Sequence, residues 1–170
     1  MAWRRGLLVT ALLVTSVLVE LTLLTRLGLP GATPPLVLVT VAGIALTMGP
    51  GAGSVSGFAA GLILDLVPPA DGTVGLTALT LAAVGYVCGV VLDPHDRPVL
   101  PTLAVVGTAA GAAVLLRAAV AGLVGDTRVL WDDVPSLVLS SVIYAVVLAP
   151  FVVPVVGWLA RRLDAVPAGA

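Results

Sequence analysis

The sequence contains no lysine, one cysteine, one histidine and few aromatic residues (4%). The single cysteine, Cys88, excludes an intrachain disulfide, and its apolar surroundings read as a small buried side chain. The single histidine, His95, falls in Asp93-Pro94-His95-Asp96-Arg97-Pro98, where the prolines mark a polar loop rather than a metal site. No Cys/His cluster, P-loop or H-E-x-x-H motif is present, so neither a metal nor a cofactor is expected. Charge is also scarce. Only 10% of residues are charged, where a soluble domain carries about 25%. All eight basic residues are arginine and none clusters beyond the pairs at the two ends, so nothing points to nucleic acid.

Apolar sequence is abundant: 59% of the 170 residues are hydrophobic and the mean hydropathy is +1.19. No polar stretch is long enough for a soluble domain. The composition predicts an all-α polytopic membrane protein, with residues 1–170 forming a single membrane domain in the lipid bilayer. Six apolar segments separated by breaks predict helices over about 6–24, 35–48, 51–67, 75–92, 99–124 and 135–160. The first follows Arg4 and Arg5 but is longer than a signal-peptide core, contains Glu20 and has no clear cleavage site, so it reads as a retained helix. The second is short, and the second and third together also suit a shallow hairpin that does not cross fully. Either version puts both termini on one side. A cytoplasmic N-terminus places Arg4, Arg5, Arg97, Arg161 and Arg162 inside, against Arg26 and Arg128 outside, so both termini are expected in the cytoplasm. The acidic loop from Gly125 to Asp133 then faces outward, and Trp3, Trp131 and Trp158 fall at membrane edges.

Three ionisable residues interrupt the predicted spans: Glu20, Asp65 and Arg117. Each costs about 2.5–3.5 kcal/mol at a helix centre on insertion scales. All three fall in the outward half of helices that run the same way, so one cation and two anions share a depth. The spacing predicts that Arg117 pairs with Glu20 or Asp65, as a structural ion pair or as a polar site open to the outside. Gly53, Gly57 and Gly61 recur every fourth residue and so line one helix face ending at Asp65; Gly85 and Gly89, and Gly107 and Gly111, repeat the spacing. Small residues at this interval let helices approach closely, either within the chain or against a partner's helix. No catalytic constellation emerges. Ser54, Ser56, Ser136, Ser140 and Ser141 have no histidine base in a span, and Asp132 and Asp133 are adjacent and point apart. Paired-aspartate proteolysis would need a second buried aspartate beside Asp65. The chain does not read as an enzyme.

The run Gly53-Ser54-Val55-Ser56-Gly57-Phe58-Ala59-Ala60-Gly61-Leu62-Ile63-Leu64-Asp65-Leu66 resembles the G-x-x-x-G-F-x-x-G-L-x-x-D signature of the rod shape-determining protein MreD family. Pro69, Gly72, Gly75-Leu76, Ala78-Leu79 and Gly85-Tyr86 are similar to that family's continuation into the next helix. The resemblance implies a non-catalytic subunit of the bacterial cell-elongation machinery, in the cytoplasmic membrane. Its implied partners are a bitopic MreC-like protein, a SEDS glycosyltransferase and a class B penicillin-binding protein, with the actin-like MreB beneath. It also implies a fold similar to the substrate-binding subunits of energy-coupling-factor vitamin transporters. That likeness suggests a second reading, a capture subunit for a small nutrient, with Glu20, Asp65 and Arg117 furnishing a polar pocket. Short outward loops and few aromatics for stacking weigh against it. An ion transporter would call for an inverted repeat, and none is evident.

Overall fold

A computed structural model of the chain describes residues 2–24, 26, 28, 31–67, 75–91, 99–124 and 131–164. His95 and its flanking aspartates, Arg97, Arg128, Pro69 and Gly72 lie outside the described residues, as does the Trp131 side chain. The described residues are mostly helical and include no strand. The helices are α1 (Ala2–Val19, continued by a π-helical turn over Glu20–Leu24), α2 (Leu36–Met48), α3 (Pro50–Leu66), α4 (Leu76–Val91), α5 (Val99–Val124) and α6 (Val134–Asp164, preceded by a 3₁₀ turn over Trp131–Asp133). The first therefore begins four residues before the expected start and takes in Arg4 and Arg5, and the last extends past Ala160 to Asp164.

Three helices, over Trp3–Leu24, Val99–Leu123 and Val134–Arg162, are long and apolar enough to cross a membrane; α2 and α4 are shorter apolar helices. Length explains their places. At 1.5 Å per residue, the 13 residues of α2 span about 20 Å, short of a hydrocarbon core of about 30 Å. α2 is instead the central post of the bundle: every residue from Val37 to Leu46 is buried. It packs against α1, α3, α4 and α6. Val39, Val41, Ala42 and Ile44 are completely enclosed. A helix apolar on every side, as α2 is, belongs in the middle rather than on an amphipathic edge.

The contacts alternate the helices up and down. Glu20, at the end of α1, meets Val37 at the start of α2. Gly53 near the start of α3 faces Ala45 near the end of α2 and Gly85 towards the end of α4. Leu46, Val99 and Arg161 border one cavity, which joins the end of α2 to the start of α5 and the end of α6. The start of α1 and the end of α6 thus share one end of the bundle. At that end Arg162 stacks over the Trp158 ring, 4.0 Å from its centroid, and Trp3 is largely exposed.

Hydroxyls within the helices are satisfied locally. Thr10, Thr15, Thr22, Thr40, Thr47, Thr80 and Thr108 each donate to the carbonyl four residues earlier, and so does Ser16. This back-bonding suits an apolar medium, where a free hydroxyl costs free energy. Among the described residues no buried side-chain nitrogen or oxygen lacks a partner.

Candidate functional site

The glycine face of α3 is filled by α4. A Cβ built on Gly61 would lie 2.6 Å from the Thr77 carbonyl oxygen, and one on Gly53 would lie 2.6 Å from that of Gly85. On Gly57 it would overlap the Leu81 carbonyl, and on Gly89 it would overlap Pro50. Apart from Ala45 of α2, which also closes on Gly53, the nearest obstacles are backbone atoms of the facing helix, so the α3 and α4 main chains are in van der Waals contact along the seam. This is the close approach that a small residue at every fourth position permits. Gly107 and Gly111 face α6 less tightly. Their nearest neighbours would be methyls of Val146 and Val142, at 3.0 and 3.1 Å. Phe58, within the same sequence run, lies about 100° around α3 from Gly57 and is 52% exposed, and Val55 is exposed too.

Asp65 closes the same seam. Its Oδ2 accepts hydrogen bonds from the Gly75 N–H (2.8 Å) and the Ala78 N–H (3.2 Å) at the start of α4. Gly75 has φ +96°, a conformation open to glycine, and this turns the chain so that its N–H meets Asp65. Glu20 does the same for α2. Its Oε2 accepts from the Val37 N–H at 2.7 Å, in the first turn of that helix. The residue before α2, Pro35, supplies no side-chain cap of its own. Both acids therefore serve as helix N-caps supplied by the preceding helix, where a carboxylate also faces the positive end of the helix dipole.

Arg117 completes the trio differently from the expected ion pair. It stands within electrostatic reach of both Glu20 and Asp65. Among the described residues it makes a contact ion pair with neither, because both carboxylates are drawn to helix amides. Glu20 and Arg117 instead share the wall of a cavity of about 290 Å³; Asp65 does not line it, although its neighbour Leu64 does. The cavity lies among the end of α1, the start of α2 and the C-terminal half of α5. Its remaining walls are mostly apolar, with the hydroxyl residues Thr33 and Ser141 added. Ser141 is buried.

The segment at residues 31–35 bounds this cavity and rests on α6: the Ala32 N–H donates to Ser140 Oγ at 2.9 Å, and Gly31, at φ +87°, packs directly on the Ser140 side chain. In the sequence, Ser140 and Ser141 stand out only as nucleophiles without a base. The signal for their actual place is the glycine before Ala32-Thr33-Pro34-Pro35, which allows the chain to turn tightly onto a neighbour. A second cavity, of about 200 Å³, lies at the other end between α5 and α6, beside Pro150 and Pro154 and rimmed by Arg161. Each of these prolines lacks an N–H, so the carbonyls of Val146 and Pro150 lose their helical donors there. No protein-family model matches the chain, and no curated protein or solved structure does so either.

Proposed function

We propose that the chain is a non-catalytic integral subunit of the bacterial cell-elongation machinery, in the cytoplasmic membrane, with six spans and both termini in the cytoplasm. In this reading it works beside a bitopic MreC-like protein, in company with a SEDS glycosyltransferase and a class B penicillin-binding protein. The observation that supports it is the unity of the run from Gly53 to Asp65. Its three glycines hold α4 against α3, its aspartate caps α4, and its Phe58 stays exposed. A motif that fixes a rigid two-helix unit and leaves one aromatic outward suits a scaffold whose outer face meets another membrane helix. With the glycines occupied inside the chain, the partner face of α3 is the one that carries Val55 and Phe58.

The test is co-purification in mild detergent from a rod-shaped host that supplies the three partners. Recovery of the MreC-like protein with the wild type, and its loss with a folded Phe58→Asp variant, is the expected result. A folded wild type that brings down none of the three overturns the proposal. The second reading, a capture subunit for a small nutrient, is favoured by one observation, the cavity bearing Glu20 and Arg117. Uptake of a small solute that depends on this chain, in cells whose shape does not, decides for it.

A further inference from the structure

Two opposite charges, Glu20 and Arg117, line one cavity and do not touch. Glu20 is half-buried and Arg117 exposed, and in the apolar surround of a bilayer such a gap is unfavourable. A direct pair would gain Coulomb energy, and a lone guanidinium presents five N–H donors in need of acceptors. The helices themselves hold the two apart: Glu20 is anchored to the start of α2, while Arg117 stands on α5. The cavity between them, about 290 Å³, is at the small end of ligand sites, too small for a drug-sized molecule and large enough for a headgroup or an amino acid. The wall is electrically balanced, with one cation and one anion. A ligand with a single charge would leave one wall group opposed, and a dianion would be repelled by Glu20.

From this geometry we infer that the cavity binds a zwitterion, with its oxyanion on the Arg117 guanidinium and its ammonium on Glu20. The Thr33 and Ser141 side chains stand on the same wall as further hydrogen-bonding groups for the oxyanion. The apolar walls, including Leu21, Leu38 and Leu64, accommodate an attached hydrocarbon segment. The chemistry is that of a primary amine joined to a phosphodiester or carboxylate. A phosphatidylethanolamine headgroup from the bilayer and a free amino acid or phosphoethanolamine both carry it. The inference does not depend on assembly with cell-elongation partners.

The experiment uses the full chain, purified and delipidated in maltoside detergent. Binding is followed by native mass spectrometry and by the thermal shift on adding each probe separately: phosphatidylethanolamine, phosphatidylglycerol, phosphatidic acid, free phosphoethanolamine and a free α-amino acid. Phosphatidylethanolamine or a free zwitterion should bind at least about tenfold more tightly than phosphatidylglycerol or phosphatidic acid, which is the scale of one charge-assisted hydrogen bond. Binding by the lipid alone makes the bilayer the source; equal binding by free phosphoethanolamine or the amino acid makes a soluble zwitterion the source. Arg117→Gln should remove this preference. Arg117 makes no contact ion pair among the described residues, so this variant should keep the fold, which the helical circular dichroism and melting of the ligand-free protein check; a folded Arg117→Gln then reports on the site. In Glu20→Gln, which retains an acceptor for the Val37 N–H, phosphatidylglycerol should bind as well as phosphatidylethanolamine. Equal binding of all probes, no binding of any, or a preference unchanged in Arg117→Gln overturns the inference.

Discussion

Replacing Gly57 with alanine tests the packing of α3 on α4 at its tightest point. An ideal Cβ at this position would lie 2.6 Å from the Leu81 carbonyl carbon and 3.0 Å from the Ala82 nitrogen, and would overlap the Leu81 oxygen. Comfortable carbon contacts begin near 3.5 Å. A single added methyl therefore demands that the two backbones separate by roughly 1 Å. No side chain can swing aside to relieve it, because the obstacle is main chain. Overpacking of this kind costs about 1–3 kcal/mol. Against it stands the better helix propensity of alanine, about 1 kcal/mol in a helix interior. The net expectation is a loss of up to about 2 kcal/mol for Gly57→Ala and a larger loss for Gly57→Leu. Gly51 provides the internal control: on the same helix, a Cβ there meets nothing within 4 Å, so Gly51→Ala should be neutral or slightly stabilising. The assay is reversible unfolding in mixed micelles, followed by helical circular dichroism against the mole fraction of denaturing detergent. Should Gly57→Ala unfold at the same midpoint as Gly51→Ala, the backbones of α3 and α4 are not in contact at Leu81 and the seam is misread.

Three other outcomes follow from the same contacts. Asp65→Ala leaves the Gly75 and Ala78 amides without their acceptor, so it should cost about 1–2 kcal/mol and speed hydrogen exchange at the start of α4, whereas Asp65→Asn, which keeps an acceptor oxygen, should lose less. Gly31→Ala combines a strained φ of +87° with a clash on Ser140 and should destabilise by about 1–3 kcal/mol; Ser140→Ala removes the Oγ, and with it the Ala32 hydrogen bond and part of the clash, but leaves the Ser140 Cβ 2.7 Å from the added methyl, so the two changes should be only partly non-additive in a double-mutant cycle. Fusion of a reporter that is active only outside the cytoplasm to Ala170 should give no signal, and a strong signal would reverse the proposed orientation.

The helices were legible because their signals are local. Proline and glycine punctuate the apolar runs at Pro35, Gly49-Pro50 and Gly75, and the helices begin or end within a residue or two of them. The glycine spacing also showed which face of α3 is narrow. It did not show what fills that face, because a four-residue repeat describes one helix and says nothing of its neighbour. The expectation of an ion pair at Arg117 had the same weakness. Equal depth in the membrane brought Glu20, Asp65 and Arg117 to one level, but depth ignores the backbone. The nearest unsatisfied donors to each carboxylate were amides at the start of the next helix, a short chain distance away, and these reached the acids first. Ser140 and Gly31 were out of reach of sequence reasoning, since their contact joins positions 109 residues apart and depends on the last helix returning beside the first loop.

Why a membrane bundle should carry acids in these places follows from the starts of α2 and α4. In water, the first amides of a helix can bond to solvent; in hydrocarbon each unsatisfied one costs several kcal/mol. The start of α2 meets this need to some extent with prolines. Pro34 and Pro35 have no N–H to satisfy, their carbonyls accept from Leu36 (2.9 Å) and Val39 (3.1 Å), and Val37 is left to Glu20. The start of α4 has Gly75 in place of a polar cap, and Asp65 takes up its amide and that of Ala78. A carboxylate in a span is ordinarily a sign of ion or substrate handling. Here two of the three charged residues are accounted for by the backbone. The third, Arg117, has no acceptor in contact among the described residues, and it stands on the cavity wall beside Glu20. The polar trio thus divides by role: the two acids cap the starts of α2 and α4, and the arginine stands on the wall of the cavity without capping a helix.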